Sequence, residues 1–338
     1  MTNGQTLSFE TLLAALREGT LAGGSTLERV DLQGAALEGA NLSGLRFVQC
    51  SFDSAGLNSA RVHDASFEAC SMKGVLMAGA DLVNARFAEC SLSGAFLENT
   101  SFSQCRFESC ELDSINAGRA SFISCGFAST RWHNARLERA TLMRLASVPS
   151  FYGGDISGMV CIDCDFSAVS FEGVKGRLLF LRECTARQLV VKNSELVQLI
   201  ALSCDCTEAR FEGCSLPFAA FTGANLTAAS FANCAMNGAN FSGCTALGAA
   251  LSHSDLAKSA FDGANMTGAL FLDCNLTMAD LSNAIVEKTE FRNVNLSHAD
   301  MHNVDLPKAS FTGTNMESIR GTDPARLAAE QFVPGAGS

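Results

Sequence analysis

Large apolar residues recur every five positions along almost the whole chain. Between Ala219 and Gly243 the register reads AAFTG, ANLTA, ASFAN, CAMNG and ANFSG. Taking the large apolar residue as the centre of each unit, centres run from Leu27 to Leu142, through Leu32, Leu37, Leu42, Phe47, Phe52, Leu82 and Phe122. After a break they resume one position out of phase, from Ile156 to Met316, through Phe166, Phe171, Leu181, Leu196, Phe211 and Phe231. The residue two before each centre is small or apolar, as at Ala40, Cys50, Ala80, Ala224 and Cys234. Helical faces recur at about 3.6 residues and strand faces at about 2, so neither element alone explains the pattern. Two inward positions flank one outward residue, which is locally strand-like. The next two residues must turn the chain, and pairs such as Ser43-Gly44, Thr222-Gly223 and Ser282-Asn283 suit turns.

Four such sides close a square coil of about twenty residues, and fixed repeats of this length signal solenoids. The cysteines agree: Cys50, Cys70, Cys90 and Cys110 should stack on one side, and so should Cys164, Cys184 and Cys204. Phe211, Phe231, Phe271, Phe291 and Phe311 should form one column of rings, with Phe221, Phe241 and Phe261 opposite.

Units such as Ala80-Asp81-Leu82-Val83-Asn84 and Ala279-Asp280-Leu281-Ser282-Asn283 resemble the pentapeptide-repeat family. The resemblance implies an all-β solenoid, a right-handed quadrilateral parallel β-helix with short capping helices at both ends. About 14 coils at roughly 4.8 Å each imply a rod on the order of 65–70 Å long. The expected organisation is an N-terminal cap over 1–26, a first β-helix block over 27–142, a phase-breaking loop over 143–155, a second block over 156–318 and a C-terminal cap over 319–338. In the first cap, Ser8 suits the N-cap of a helix and Gly19 its stop. In the last, Asp323 suits the N-cap and Pro324 the first turn of a helix reaching Phe332. The closing Pro-Gly-Ala-Gly-Ser reads as a frayed tail.

Composition narrows the picture. The first residues carry no basic, apolar leader, and no run is apolar enough to span a bilayer, so a cytoplasmic protein is expected. Of fifteen cysteines, thirteen sit two before a centre, where a free thiol acts as a small apolar side chain. Cys161, Cys164, Cys184, Cys204 and Cys206 form the one cluster that suggests zinc, but the register already accounts for most of it, and no metal is expected. The net charge of -11 is uneven: Arg131 to Lys192 is net +3, with nine basic and six acidic residues, and the remainder is -14.

Candidate chemistry gathers at the break. It holds Phe151 and the only tyrosine, Tyr152, and the only tryptophan, Trp132, lies shortly before it. Arg177, Arg182, Arg187 and Lys192 each follow a centre in consecutive repeats, so a square coil would carry them as a basic ring. Trp132, Phe151, Tyr152, Arg177, Arg182, Arg187 and Lys192 are therefore the candidate partner-binding residues, for a partner with an acidic or mixed surface. The alternative is that Phe151 and Tyr152 simply fold back over the coil at the phase shift.

Catalytic patterns are lacking. Gly153-Gly154-Asp155 leads into a coil rather than a phosphate-binding helix, and His298 and His302 are spaced for a helix, not for this coil. No enzyme activity and no cofactor are expected. The resemblance implies a non-enzymatic protein-interaction scaffold, since some stand-alone bacterial relatives accompany type VI secretion machinery and are linked to effector loading. It also implies a second reading, an acidic DNA mimic that binds an enzyme such as DNA gyrase. An effector delivered into a host cell shares the same physics. The partner is a protein of unknown identity, with no direct nucleic acid contact, and the C-terminal cap offers a homodimer surface as in some relatives.

Overall fold

In the computed structural model, which describes residues 8–331, the chain is a parallel β-solenoid of about 14 turns. It divides into two compact units, Met1–Phe180 and Leu181–Ser338. In the first unit one side forms a six-stranded ladder of three-residue strands: Thr26–Glu28, Arg46–Val48, Ser66–Glu68, Arg86–Ala88, Arg106–Glu108 and Gly126–Ala128. Pairing is parallel and advances twenty residues per coil, so Phe47 lies beside Phe67 and Phe87 beside Phe107. A second side repeats the arrangement through Arg61–His63, Asp81–Val83, Ser101–Ser103, Ser121–Ile123, Thr141–Met143 and Val160–Ile162. The strands are short because each five-residue side keeps three residues extended and spends two on the corner.

The other two sides make single bridges, such as Asp31 with Ser51 and Ala36 with Gly56, and close with β-turns. In these the Ala35 N–H donates to the Leu32 carbonyl and the Ala40 N–H to the Leu37 carbonyl, both at 3.0 Å. At nearly every corner the second residue after the centre takes a positive φ, as Gly34 (63°) and Gly39 (68°) do. Glycine adopts that conformation without steric cost. Serine and asparagine also fill it, at Ser54 and Asn84, and short polar side chains tolerate the left-handed region better than most.

Burial follows the register. The rings of Phe47, Phe67, Phe87, Phe107 and Phe127 stack face to face at 4.9–5.0 Å, which is the spacing between strands. All fifteen cysteines are buried and form no disulfide. The Cys50, Cys70, Cys90 and Cys110 thiols each donate to a carbonyl of the preceding coil, at Leu27, Phe47, Phe67 and Phe87. Burial pushes the Cys206 and Cys244 thiols up to about 12 and Cys274 up to about 11.

The second unit carries a ladder from Val190–Lys192 through Arg210–Glu212, Ser230–Ala232, Ala250–Ser252, Leu270–Leu272 and Glu290–Arg292 to Ser310–Thr312. Phe211 stacks on Phe231 at 4.7 Å, and Phe271, Phe291 and Phe311 continue at 5.0 and 5.1 Å. Leu251 interrupts this column. The opposite column, Phe221, Phe241 and Phe261, stacks at 5.3 and 4.8 Å.

Helix α1 (Phe9–Glu18) starts at Ser8, whose Oγ accepts the Thr11 N–H, and stops at left-handed Gly19. Its Leu16 is buried, and its Arg17 donates to the Ala36 carbonyl at 2.6 Å. Helix α2 (Pro324–Glu330) starts at Asp323, whose carboxylate accepts the Arg326 and Ala325 N–H groups; these bonds hold its carboxyl below the usual range. The expected end at Phe332 and the terminal tail lie outside the described residues. Buried His302 fastens α2: its Nδ1 accepts the Asp323 N–H at 3.1 Å, and its Nε2 meets Glu330 at 3.2 Å.

Two outcomes follow from this packing. Phe87→Ala should destabilise the protein by about 3–5 kcal/mol, because it empties a stacked core position, whereas Phe96→Ala, at a ring 46 % exposed, should change stability by less than about 0.5 kcal/mol. Denaturant titration checks this, and equal losses would contradict it. A thiol titration at mildly alkaline pH should count few cysteines in the native protein and all fifteen after unfolding.

Candidate functional site

One coil of the first unit is a residue short. Trp132 pairs with Phe151 and Leu142 with Cys161, nineteen residues apart instead of twenty. The missing residue belongs to the side Leu145-Ala146-Ser147-Val148, which has four residues where others have five. Leu145 and Val148 are both buried, with Ala146 and Ser147 exposed between them. Two inward anchors separated by two outward residues cannot alternate as a strand does. The six-stranded ladder therefore ends at Gly126–Ala128, although coils continue beyond it.

The sequence predicts a phase-breaking loop over 143–155, with Phe151 and Tyr152 either projecting or folded back over the coil; the structure places them in the coil and corrects the loop. Ser150–Tyr152 is a strand in the ladder that includes Arg131–His133, so the phase shift is a shortened side. The partner-binding expectation is corrected for Trp132 and Phe151: they are 0 % and 1 % exposed, pack edge to face at 5.0 Å, and cannot reach a partner. Tyr152 is half-buried, with its ring stacked on His133 at 4.9 Å. Three of the four cations of the expected basic ring are paired. In the second unit, Arg182 pairs with Glu183, Arg187 with Asp205 and Lys192 with Glu212. Although burial opposes its charge, hydrogen bonds from Thr207 and Arg187 hold the Asp205 carboxyl below the usual range. Arg177 belongs to the first unit, where its N–H donates to Ser157 Oγ.

Beside the shortened side lies an open groove of about 700 Å³. Phe127 and Cys125 line its apolar part, and Arg106, Glu108, Arg144 and Ser147 its polar part. Its backbone edge is unpaired. The Ser109 N–H donates to the Ala128 carbonyl at 2.8 Å, but the equivalent Ser129 N–H has no partner among the described residues. The Cys105 carbonyl accepts the Gly126 N–H at 2.9 Å, and the equivalent Cys125 carbonyl accepts no backbone N–H.

The charges on this face follow a rule that fails at the groove. Arg46 reaches Glu68 at 2.7 Å and Arg86 reaches Glu108 at 2.6 Å, each arginine meeting a carboxylate twenty-two residues ahead. For Arg106 that position is Ala128. Neither Arg106 nor Arg144 has a side-chain partner among the described residues. Reading the sequence for aromatic and basic clusters missed both. The available signal was the Arg-to-Glu interval of twenty-two and its lapse at Ala128.

Profiles of known families settle the lineage. One described as "Pentapeptide repeat region" matches residues 24–97, and one described as "Pentapeptide repeats (8 copies)" matches 80–116, 204–243, 236–273 and 274–313, together more than half of the chain. The chain belongs to the pentapeptide-repeat family. Among solved structures, this pentapeptide-repeat protein is similar to HetL, involved in heterocyst differentiation regulation in the cyanobacterium Nostoc sp. strain PCC 7120. Identity is 17 %, covering 93 % of this chain and 95 % of HetL, with a TM-score of 0.23. It is similar to QnrB1, a plasmid-mediated fluoroquinolone resistance protein, at 17 % identity over 66 % of this chain and 96 % of QnrB1, with a TM-score of 0.26. It is also similar to Rfr23 from the cyanobacterium Cyanothece 51142, at 20 % identity over 38 % and 88 %, with a TM-score of 0.22. No curated protein matches the sequence. Among the described residues, no helix is long and apolar enough to cross a membrane.

The contraction demands glycine at the corner of the pentapeptide-repeat coil that follows it. Gly154 has φ 85°, and a Cβ there would lie 2.2 Å from the Ala135 carbonyl oxygen. Gly154→Ala should therefore cost roughly 1–3 kcal/mol and lower the melting temperature. An unchanged melting temperature would contradict this account of the shortened side.

Proposed function

We propose that this protein is a non-enzymatic protein-interaction scaffold whose partner docks at the groove beside Leu145–Val148. The observation that carries the reading is a ladder that stops inside the first unit, leaving an open strand edge next to solvent. Edges of this kind template pairing with other chains unless they are covered. Catalysis is not needed to explain any residue there. The charged groups lie outward, and the large side chains are spent on the core.

Pairing of the acidic residues favours a scaffold over a duplex-DNA mimic. Glu68, Glu108, Asp205, Glu212 and Asp300 each sit in an ion pair, so their charge is locally offset. Fifteen buried cysteines outside any disulfide support a reducing compartment such as the cytoplasm. Cargo loading onto secretion machinery is one setting in which such a scaffold would work.

Site-specific photo-crosslinking in cells tests the reading. A crosslinker at Ser147, in the groove, should capture a discrete protein partner, and one at Asn58, on another side, should not. Capture at Asn58 alone, or at neither position, would overturn it. In parallel, the purified protein should leave DNA gyrase supercoiling unchanged. Inhibition would favour the mimic.

A further inference from the structure

Resting on that scaffold reading, we propose that the groove takes an extended acidic peptide segment. The segment adds as a strand to Gly126–Ala128 and sets its carboxylates against Arg106 and Arg144. Three features define the occupant. The first is the backbone. The Ser129 N–H and the Cys125 carbonyl offer the donor and acceptor that the preceding coil uses for its ladder. Leu145–Val148 cannot supply the matching strand, because its two buried residues are separated by two exposed ones. Main-chain pairing to an exposed edge supplies affinity, while the alternate side chains of the added strand supply selectivity.

The second feature is charge. Arg106 is the one rung of the Arg46, Arg86, Arg106 series whose carboxylate is replaced, by Ala128. Arg144 lines the same groove and is also without a side-chain partner among the described residues. Glu108, the acid of this groove, is already held by Arg86, whose own pKa rises chiefly through that hydrogen bond. Two unopposed guanidinium groups beside an open strand edge fit carboxylates, which arginine binds in a fixed planar geometry. The third feature is the floor. Phe127 is 8 % exposed where its stacked neighbours Phe87 and Phe107 are 0 % and 1 %. A small apolar residue between two acidic ones would cover it. A nucleic acid is a poorer fit, because its binding rests on many phosphate contacts, whereas this groove offers two free cations beside a glutamate in a protein of net charge -11.

The test uses the full chain and a fluorescently labelled peptide of alternating glutamate and valine, followed by anisotropy. The peptide should bind, and a lysine–valine peptide should not. Backbone N-methylation of every residue, which removes strand pairing in either register, should abolish binding. The double variant Arg106→Ala/Arg144→Ala should weaken binding about tenfold or more. Ala128→Glu, which restores the missing rung and occupies Arg106 internally, should weaken it similarly. All three positions are exposed, so melting temperatures should stay near that of the unaltered protein and separate lost binding from lost fold. Equal binding of the lysine peptide, or unimpaired binding of the N-methylated peptide or of both variants, would overturn the proposal. So would tight binding of a single-stranded oligonucleotide that the arginine variants abolish. Failure of the peptide, with a partner still captured at Ser147, would remove the acidic-strand proposal and leave the scaffold reading standing.

Discussion

Everything in this molecule depends on keeping successive coils in register, twenty residues apart, so that every outward backbone group finds its partner in the next coil. A five-residue side satisfies this by presenting two inward anchors around one outward residue and then turning. The corner requires a left-handed residue, which explains the recurrence of glycine, asparagine and serine two places after each centre. The same register places like above like. Phenylalanine rings therefore stack at strand spacing, and cysteines form columns whose thiols donate to carbonyls of the preceding coil. Each coil contacts chiefly its neighbours, so the consequences of a defect in register are local.

The defect between Met143 and Ser150 shows what that constraint controls. Losing one residue does not interrupt the core, because Leu145 and Val148 still point inward and Trp132 and Phe151 fill the space edge to face. It interrupts the ladder instead. The stacked phenylalanine column ends at Phe127, the Arg-to-Glu series ends at Arg106, and a groove opens where a strand would have been. Packing tolerates the deletion better than hydrogen bonding does, since side chains can reorient while ladder partners must sit at a fixed spacing. A groove thus arises from a change in register, with no elaborated loop.

Much of the fold was legible because a rigid period leaves few alternatives. The Phe211 and Phe221 columns, the Cys50 column and the caps at Ser8, Gly19 and Asp323 all follow from local rules acting on visible residues. The site was legible only in part. The phase shift after Leu142 was plain, but a shift of one position reads equally as a loop or as a shortened side, and only pairing distinguishes them. Trp132, Phe151 and Tyr152 drew attention by rarity, yet rarity carries no information on which side of the coil a ring lies. Phe151 is a centre in the new phase and Trp132 one in the old, so both belong inside. Arg182, Arg187 and Lys192 were visible as cations; the acid of Arg182 is the next residue, Glu183, but those of Arg187 and Lys192, at Asp205 and Glu212, come from the next coil. Arg106 and Arg144 became distinctive only through the absence of such a partner.

The most direct test of the central claim, that register alone opens the groove, is amide hydrogen exchange at Ser109 and Ser129 in the protein and in a variant with one alanine inserted between Ala146 and Ser147. In the unaltered protein Ser109, bonded to Ala128, should be protected and Ser129 should exchange quickly. In the variant, with a five-residue side restored, Ser129 should become as protected as Ser109. Equal protection of the two amides in the unaltered protein, or fast exchange at Ser129 in a variant that remains folded, would contradict the account.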